Sequence, residues 1–250
     1  MNHPLSGNKL KCSIEINHKQ GGLTNKSIGI FTIGPVQSFI SSAKKTKDFW
    51  AGSYLLSYLT WTALKVVIEE SNENSVVFPA IDGQPLYKLS FENKKNEEEL
   101  KLPTLPNRFM VLLDKDKSLD ILKKCEKAVN NELNNIIDFI IEEENIKSDK
   151  SEIIKQIDKL LEIYWISIPF EQDLGSEIGR HYERNSQYSA LTSLSEELLG
   201  SRKNLRNFEQ QIEKGHKCHI CGERVGRVED EYIDKKSKNN PKKLCGVCLL

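Results

Sequence analysis

The chain has 250 residues, with 36 Lys and Arg balanced by 36 Asp and Glu, and it is 29% charged and 38% hydrophobic. That length accommodates one substantial core and a small satellite, while the balanced charge excludes the broadly basic surface of a free-standing nucleic-acid binder, so any nucleic-acid contact must be local or shared with partners. No apolar run of about 18 residues occurs and residues 1–27 lack the apolar centre of a signal peptide, which argues against a helical membrane protein and sets a cytoplasmic expectation.

Residues 1–27 read as an N-terminal tail. Ile28 to Ile33 is short, β-branched and apolar on both faces, the pattern of a strand in the middle of a sheet, and it ends at Gly34-Pro35. From about Val36 to Glu70 the period becomes helical, with Trp50, Tyr54, Tyr58 and Trp61 on one stripe and Leu55, Leu59, Ala63 and Val66 on another, which predicts a well-buried helix. Val76 to Ala80 and Phe109 to Leu113 read as two further strands around a loop that contains Asp82-Gly83, Pro85, Pro103 and Pro106. Leu122, Cys125, Val129, Leu133, Ile136 and Ile140 then make one continuous stripe on a second long helix, with Cys125 as a packing residue. A shorter helix carrying Ile153, Ile154, Ile157, Leu160 and Leu161 leads into a fourth strand, Ile163 to Phe170.

The order βαββαβ predicts an α+β fold: a ferredoxin-like palm domain over residues 28–170, in which four antiparallel strands carry both helices on one face. Such a fold hosts many functions and names none of them. Residues 171–214 follow as a helical connector that packs through Leu191, Leu194, Leu198, Leu205 and Phe208, and residues 215–250 as a four-cysteine zinc module.

The chemistry is most specific in that last segment. Cys218 and Cys221 form one CxxC pair, Cys245 and Cys248 a second, and 23 residues separate the pairs. Cysteines three apart place both sulfurs on one cation, and two such knuckles complete a tetrahedral four-sulfur site. A redox pair or adventitious disulfides would not account for the motif occurring twice in a chain without an export signal. With sulfur in all four positions no place remains for water, so the zinc is expected to be structural. His216 and His219 read as solvated bystanders. The lysine-rich segment between the knuckles, Lys235 to Lys243, suits either phosphate contact or a solvated loop.

Elsewhere neither a phosphate-cradling GxxxxGK[ST] loop nor a GxGxxG fingerprint occurs. A two-metal palm needs carboxylates at the end of its first strand and on the following hairpin. The first strand here ends Thr32-Ile33-Gly34, and Asp82-Gly83 reads as a turn, so no catalytic residue is assigned.

Phe31 to Ile40, followed by Lys44 to Ser57, closely resembles the opening of the first palm in the large subunit of type III-B CRISPR effector complexes, the Cmr complexes. Leu105 to Phe109, Tyr164-Trp165 with Pro169-Phe170, and the paired cysteine knuckles fit the same family in the same order. The resemblance implies an antiviral, RNA-guided ribonucleoprotein with other protein subunits, CRISPR RNA and target RNA as partners, which makes cyclic oligoadenylates from ATP with a divalent metal once target RNA binds. It also implies a second palm with a Gly-Gly-Asp-Asp motif and an N-terminal HD nuclease domain, neither of which occurs in this sequence, so the expectation is of an N-terminal part that is inactive by itself. Gly34, Gln37 and Ser38, in the turn entering the first helix, are the candidate nucleotide-binding residues, with Lys44, Lys45 and Lys47 as possible phosphate or subunit contacts. The alternative is a self-contained zinc-dependent RNA-binding protein.

Overall fold

The computed structural model describes residues 25–36, 45–158, 160–170, 187–205, 213–229 and 243–250. Four strands form one antiparallel sheet in the order β2-β3-β1-β4. They are β1 (Lys26–Gly34), β2 (Val76–Phe78), β3 (Arg108–Asp114) and β4 (Glu162–Pro169). The apolar run of β1 is explained by its place: it pairs with β3 on one side and β4 on the other, and it is buried from Ser27 to Ile33. Phe31 and Ile33 enter one core, and Ile28 and Ile30 enter a second core on the opposite face.

Two long helices, α1 (Thr46–Glu70) and α4 (Lys115–Glu143), cover the first face. The stripe of α4 runs as its sequence predicts through Leu122, Cys125, Val129 and Leu133, all buried. Cys125 donates its S–H to the Ala63 carbonyl of α1 at 3.3 Å, and burial pushes its thiol up to about 12. Gly29 permits close contact between sheet and helix: a Cβ at this position would lie 2.8 Å from Val111 Cγ2 and 3.3 Å from Leu122 Cδ1.

The aromatic stripe expected to be buried on α1 is only partly so. Its core face is Leu56, Leu59, Ala63 and Val67, whereas Trp50 is 42% exposed and donates its indole N–H to the Lys101 carbonyl at 3.1 Å. Trp61 is buried because the predicted loop between β2 and β3 contains two short helices, α2 (Pro85–Phe91) and α3 (Glu97–Leu100), and Tyr87 and Phe91 of α2 meet its ring edge-on. Pro85 sits at the start of α2, where its missing N–H costs no hydrogen bond, and the Asn96 side chain accepts the N–H groups of Glu98 and Glu99 to cap α3. Asp82-Gly83 is a turn, with Gly83 at φ +81.

The connector contributes α6 (Gln187–Asn204), which packs against β4 and β1 on the second face. Its contact face is Ala190, Leu191, Ser195 and Leu199; Leu198 is 43% and Leu205 69% exposed, contrary to the packing set expected from the leucine spacing. A serine in the inward stripe misled that reading: the Ser195 hydroxyl satisfies itself on the Leu191 carbonyl at 2.7 Å and is thereby tolerated in the core. Phe208 lies outside the described residues. Arg108 pairs with Glu196, and Arg202 stands 5.5 Å over the Tyr164 ring, so both side chains fix α6 across the sheet. Helix α5 (Lys150–Ile157) joins α4 to β4, and β5 (Val228–Glu229), β6 (Lys243–Leu244) and α7 (Gly246–Leu249) form the cysteine module. Val228, Leu244 and Val247 share a core cluster with Ile153 and Ile157 of α5, so the module's apolar side continues the main core.

Candidate metal centre and the turn after the first strand

Each knuckle is shaped by short backbone bonds. In the first, Lys217 bridges to Val225, the Cys218 N–H donates to the Arg224 carbonyl at 2.8 Å, and the Gly222 N–H returns to the Cys218 carbonyl at 2.9 Å. Gly222 takes φ +72, a conformation in which a side chain is strained. In the second, β6 delivers Cys245 to the start of α7, and the Cys248 N–H donates to the Cys245 carbonyl at 3.1 Å.

The two knuckles are stitched together by β5 and β6, which pair antiparallel, and by His219. The His219 N–H donates to the Lys243 carbonyl at 2.9 Å, and its ring Nδ1 accepts the Lys243 N–H at 2.8 Å. His219, expected to be a bystander, is thus exposed yet structural, and His216 is exposed. The N–H of Arg227 adds a bond to the Leu244 carbonyl at 2.6 Å.

This scaffold brings the sulfurs of Cys218, Cys221, Cys245 and Cys248 within 4.8 Å of one another. Cys221 and Cys245 stand 3.7 Å apart; sulfurs about 2.3 Å from a shared zinc at tetrahedral corners would be about 3.8 Å apart. Cys218 and Cys245 are buried, and Cys221 and Cys248 half-buried. The Cys248 hydrogen bond holds the Cys245 thiol below its ordinary range, and the same bond, with burial, drives Cys248 far above it. Four sulfurs this close shed their protons together only when a cation compensates the charge, so the donor set fits a metal ion. It is the single such cluster of three or more His, Cys, Asp or Glu among the described residues.

Sequence reasoning missed a polar group beneath the cysteines. Gln156 of α5 is 4% exposed, and its amide bonds to Glu213, Val225 and Gly246. Glu213 also accepts the Val225 N–H at 2.8 Å, and Arg227 pairs with Glu152 at 2.9 Å. The available signal was a glutamine set between Ile153 and Ile157 on an otherwise apolar helix face.

Of the candidate nucleotide residues, the structure places Gly34 at the end of β1, opposite Glu162 of β4, half-buried and open enough that a Cβ would meet only the Glu162 carbonyl at 3.8 Å. Gln37, Ser38 and Lys44 lie outside the described residues, as do Cys12 and positions 235–242 of the lysine segment. Lys45 and Lys47 are exposed. Asn107 braces the strand end: its side-chain amide donates to the Ile33 carbonyl at 2.7 Å, and its own carbonyl accepts the Ile33 N–H at 2.8 Å. No described helix is long and apolar enough to cross a membrane.

Comparison with known proteins bears on this arrangement. Residues 29–138, from β1 to most of α4, match the family model of the CRISPR-associated protein Cmr2, N-terminal. A Cmr2 subunit of the Cmr system of Pyrococcus furiosus is 24% identical over 87% of this chain and 30% of its own length. The Cmr2 subunit of Saccharolobus solfataricus is 38% identical over 29% of this chain and 7% of its own. The fold is similar, at TM-score 0.52 and 15% identity, to a chain of the type III-B Cmr-beta complex bound to cognate target RNA, over 90% of this chain and 31% of that one. These matches agree in supporting a likeness to the large subunit of Cmr systems. The likeness is to the N-terminal part of that subunit, Cmr2, and the chain spans about a third of the length of the Pyrococcus furiosus relative and of the Cmr-beta chain.

Proposed function

We propose that the chain contributes a ferredoxin-like first palm and a structural zinc module to a Cmr-type RNA-guided antiviral complex, whose large subunit makes cyclic oligoadenylates from ATP when target RNA binds. The observation that carries this reading is one continuous arrangement: the strand-helix segment matching Cmr2 shares its core with the four-cysteine module. The strand order β2-β3-β1-β4, antiparallel throughout, supports a ferredoxin-like palm. Zinc held by four thiolates has no open position, so its role is to fold the knuckles.

The palm supplies binding and shape, and the metal-holding carboxylates come from a second palm. Its first strand ends Thr32-Ile33-Gly34, and the exposed Asp82 belongs to a turn. Gly34, Gln37 and Ser38 are proposed to face the nucleotide phosphates across the cleft between the palms. The other subunits, CRISPR RNA and target RNA are the partners, and the cytoplasm is the compartment.

Reconstitution tests this. ATP turnover is measured with the chain alone, and with the remaining Cmr2 portion, the other Cmr subunits, CRISPR RNA and target RNA added, beside metal content by mass spectrometry. The expected result is one zinc per chain and turnover only in the combined sample. Turnover by the chain alone would overturn the division of labour, and tight salt-sensitive RNA binding without partners would favour a self-contained RNA-binding protein.

A further inference from the structure

The polar group beneath the cysteines is saturated. The Gln156 Nε2 group donates to Glu213 Oε1 at 2.8 Å and to the Val225 carbonyl at 2.9 Å, while its Oε1 accepts the Gly246 N–H at 2.8 Å. The orientation of the amide is determined, because a flip would set N–H against N–H at Gly246 and oxygen against oxygen at Val225. Val225 closes the first knuckle and Gly246 follows Cys245 in the second, so a single buried side chain holds one backbone group from each. Gly246 lies directly on the helix, where a Cβ would stand 2.9 Å from the Ile153 carbonyl oxygen. One turn earlier on α5, Glu152 pairs with Arg227 at 2.9 Å.

We propose that Gln156 is a positioning residue for the metal: it sets the two cysteine pairs against each other from below, so that metal affinity and the order of α5 are linked. This rests on the structural-metal reading above. The four thiolates draw the knuckles together from one side, and Gln156 does so from the other. Linkage is reciprocal: whatever docked knuckles add to metal affinity, the metal returns to the docking of α5. Because β4 is the next element after α5 and its Glu162 pairs with Gly34, the linked segment ends beside the end of β1.

The test uses the full chain loaded with zinc. Zinc affinity is measured against a chromophoric chelator for the wild type, for Gln156→Leu, which keeps size but loses every bond, and for Gln156→Glu, which keeps the acceptor for Gly246. Amide hydrogen exchange is followed in the wild type before and after zinc is stripped. Outer residues that orient metal ligands are worth about 10–100-fold in affinity, so Gln156→Leu should lose zinc on that scale, and Gln156→Glu, which sets a carboxylate oxygen against Glu213 and the Val225 carbonyl, should lose at least as much. Stripping should raise exchange across Lys150–Ile157 while leaving α6, on the other face of the sheet, unchanged. Equal zinc affinity in the wild type and Gln156→Leu would overturn the proposal, as would α5 exchange indifferent to zinc; the second measurement decides alone if the leucine variant does not fold. A wild-type chain that takes up no zinc would remove the structural-metal reading and this inference together, whereas a zinc-loaded wild type matched by the variant would remove this inference only.

Discussion

The sheet with its helices and the cysteine module solve the same problem with different means. Around β1 the chain is held by apolar area: Phe31 stacks on Phe109 with ring centroids 4.9 Å apart, and Leu59, Leu64, Leu113 and Leu122 lie fully buried in the same core. Around the cysteines the described residues form two strands of two residues each and a four-residue helix, and the ordering comes from clustered sulfurs, a glutamine and a few backbone bonds. The first region tolerates the loss of one contact in proportion to the area lost, whereas the second depends on a few strong, interlocking ones.

The largest effect should therefore come from the smaller region. Cys245→Ser removes a buried sulfur of the proposed zinc site, and zinc-finger peptides derive about 10–16 kcal/mol of apparent folding free energy from their metal; metal analysis should find the zinc gone, and exchange should find residues 213–229 and 243–250 unprotected. Retention of one tightly held zinc per chain would show that three sulfurs suffice. Phe109→Ala should cost about 3–5 kcal/mol, read as a lower urea midpoint, and a cost under about 1 kcal/mol would mean that the stacked pair carries little of the core.

Cys125 gives an effect confined to alkaline pH. Its folded thiol is raised from 9.0 to about 12, so the native state holds the proton longer than the unfolded chain. That contribution is fully present below about 9 and is lost as pH rises toward about 12. Urea midpoints of the wild type should fall faster over that window than those of Cys125→Ala, and parallel curves would contradict the assignment. The smallest effect is expected from Arg202→Ala, which removes the cation above Tyr164 and costs about 0.5–1 kcal/mol; a larger loss, measured by the same melts, would make α6 more than a cover.

Legibility in the sequence divided along the same line. Periodicity revealed β1, β3 and β4 nearly to their ends and α4 from Leu122 to Ile140, because each buries a long apolar face whose spacing survives in one dimension. It misplaced the contacts of α1 and α6, where Trp50 is exposed and Ser195 hides in the core. It overlooked α2 and α3, which are short and held by a proline start and an asparagine cap amid charged residues. The four-cysteine cluster was legible because thiolate chemistry ties residue type to spacing. Its support was not, since Gln156 lies 62 positions before Cys218 and nothing local marks which knuckle it reaches.

Gly29 has a consequence beyond close packing. Strands usually keep their alignment because sliding by one residue turns apolar groups to water, but β1 is apolar on both faces and that safeguard is missing. Its neighbours Ser27, Ile28, Ile30 and Phe31 all carry a Cβ, and the place opposite Val111 and Leu122 has no room for one. Any slippage, by one position or two, drives a side chain into that gap, so the missing side chain keeps the strand in frame.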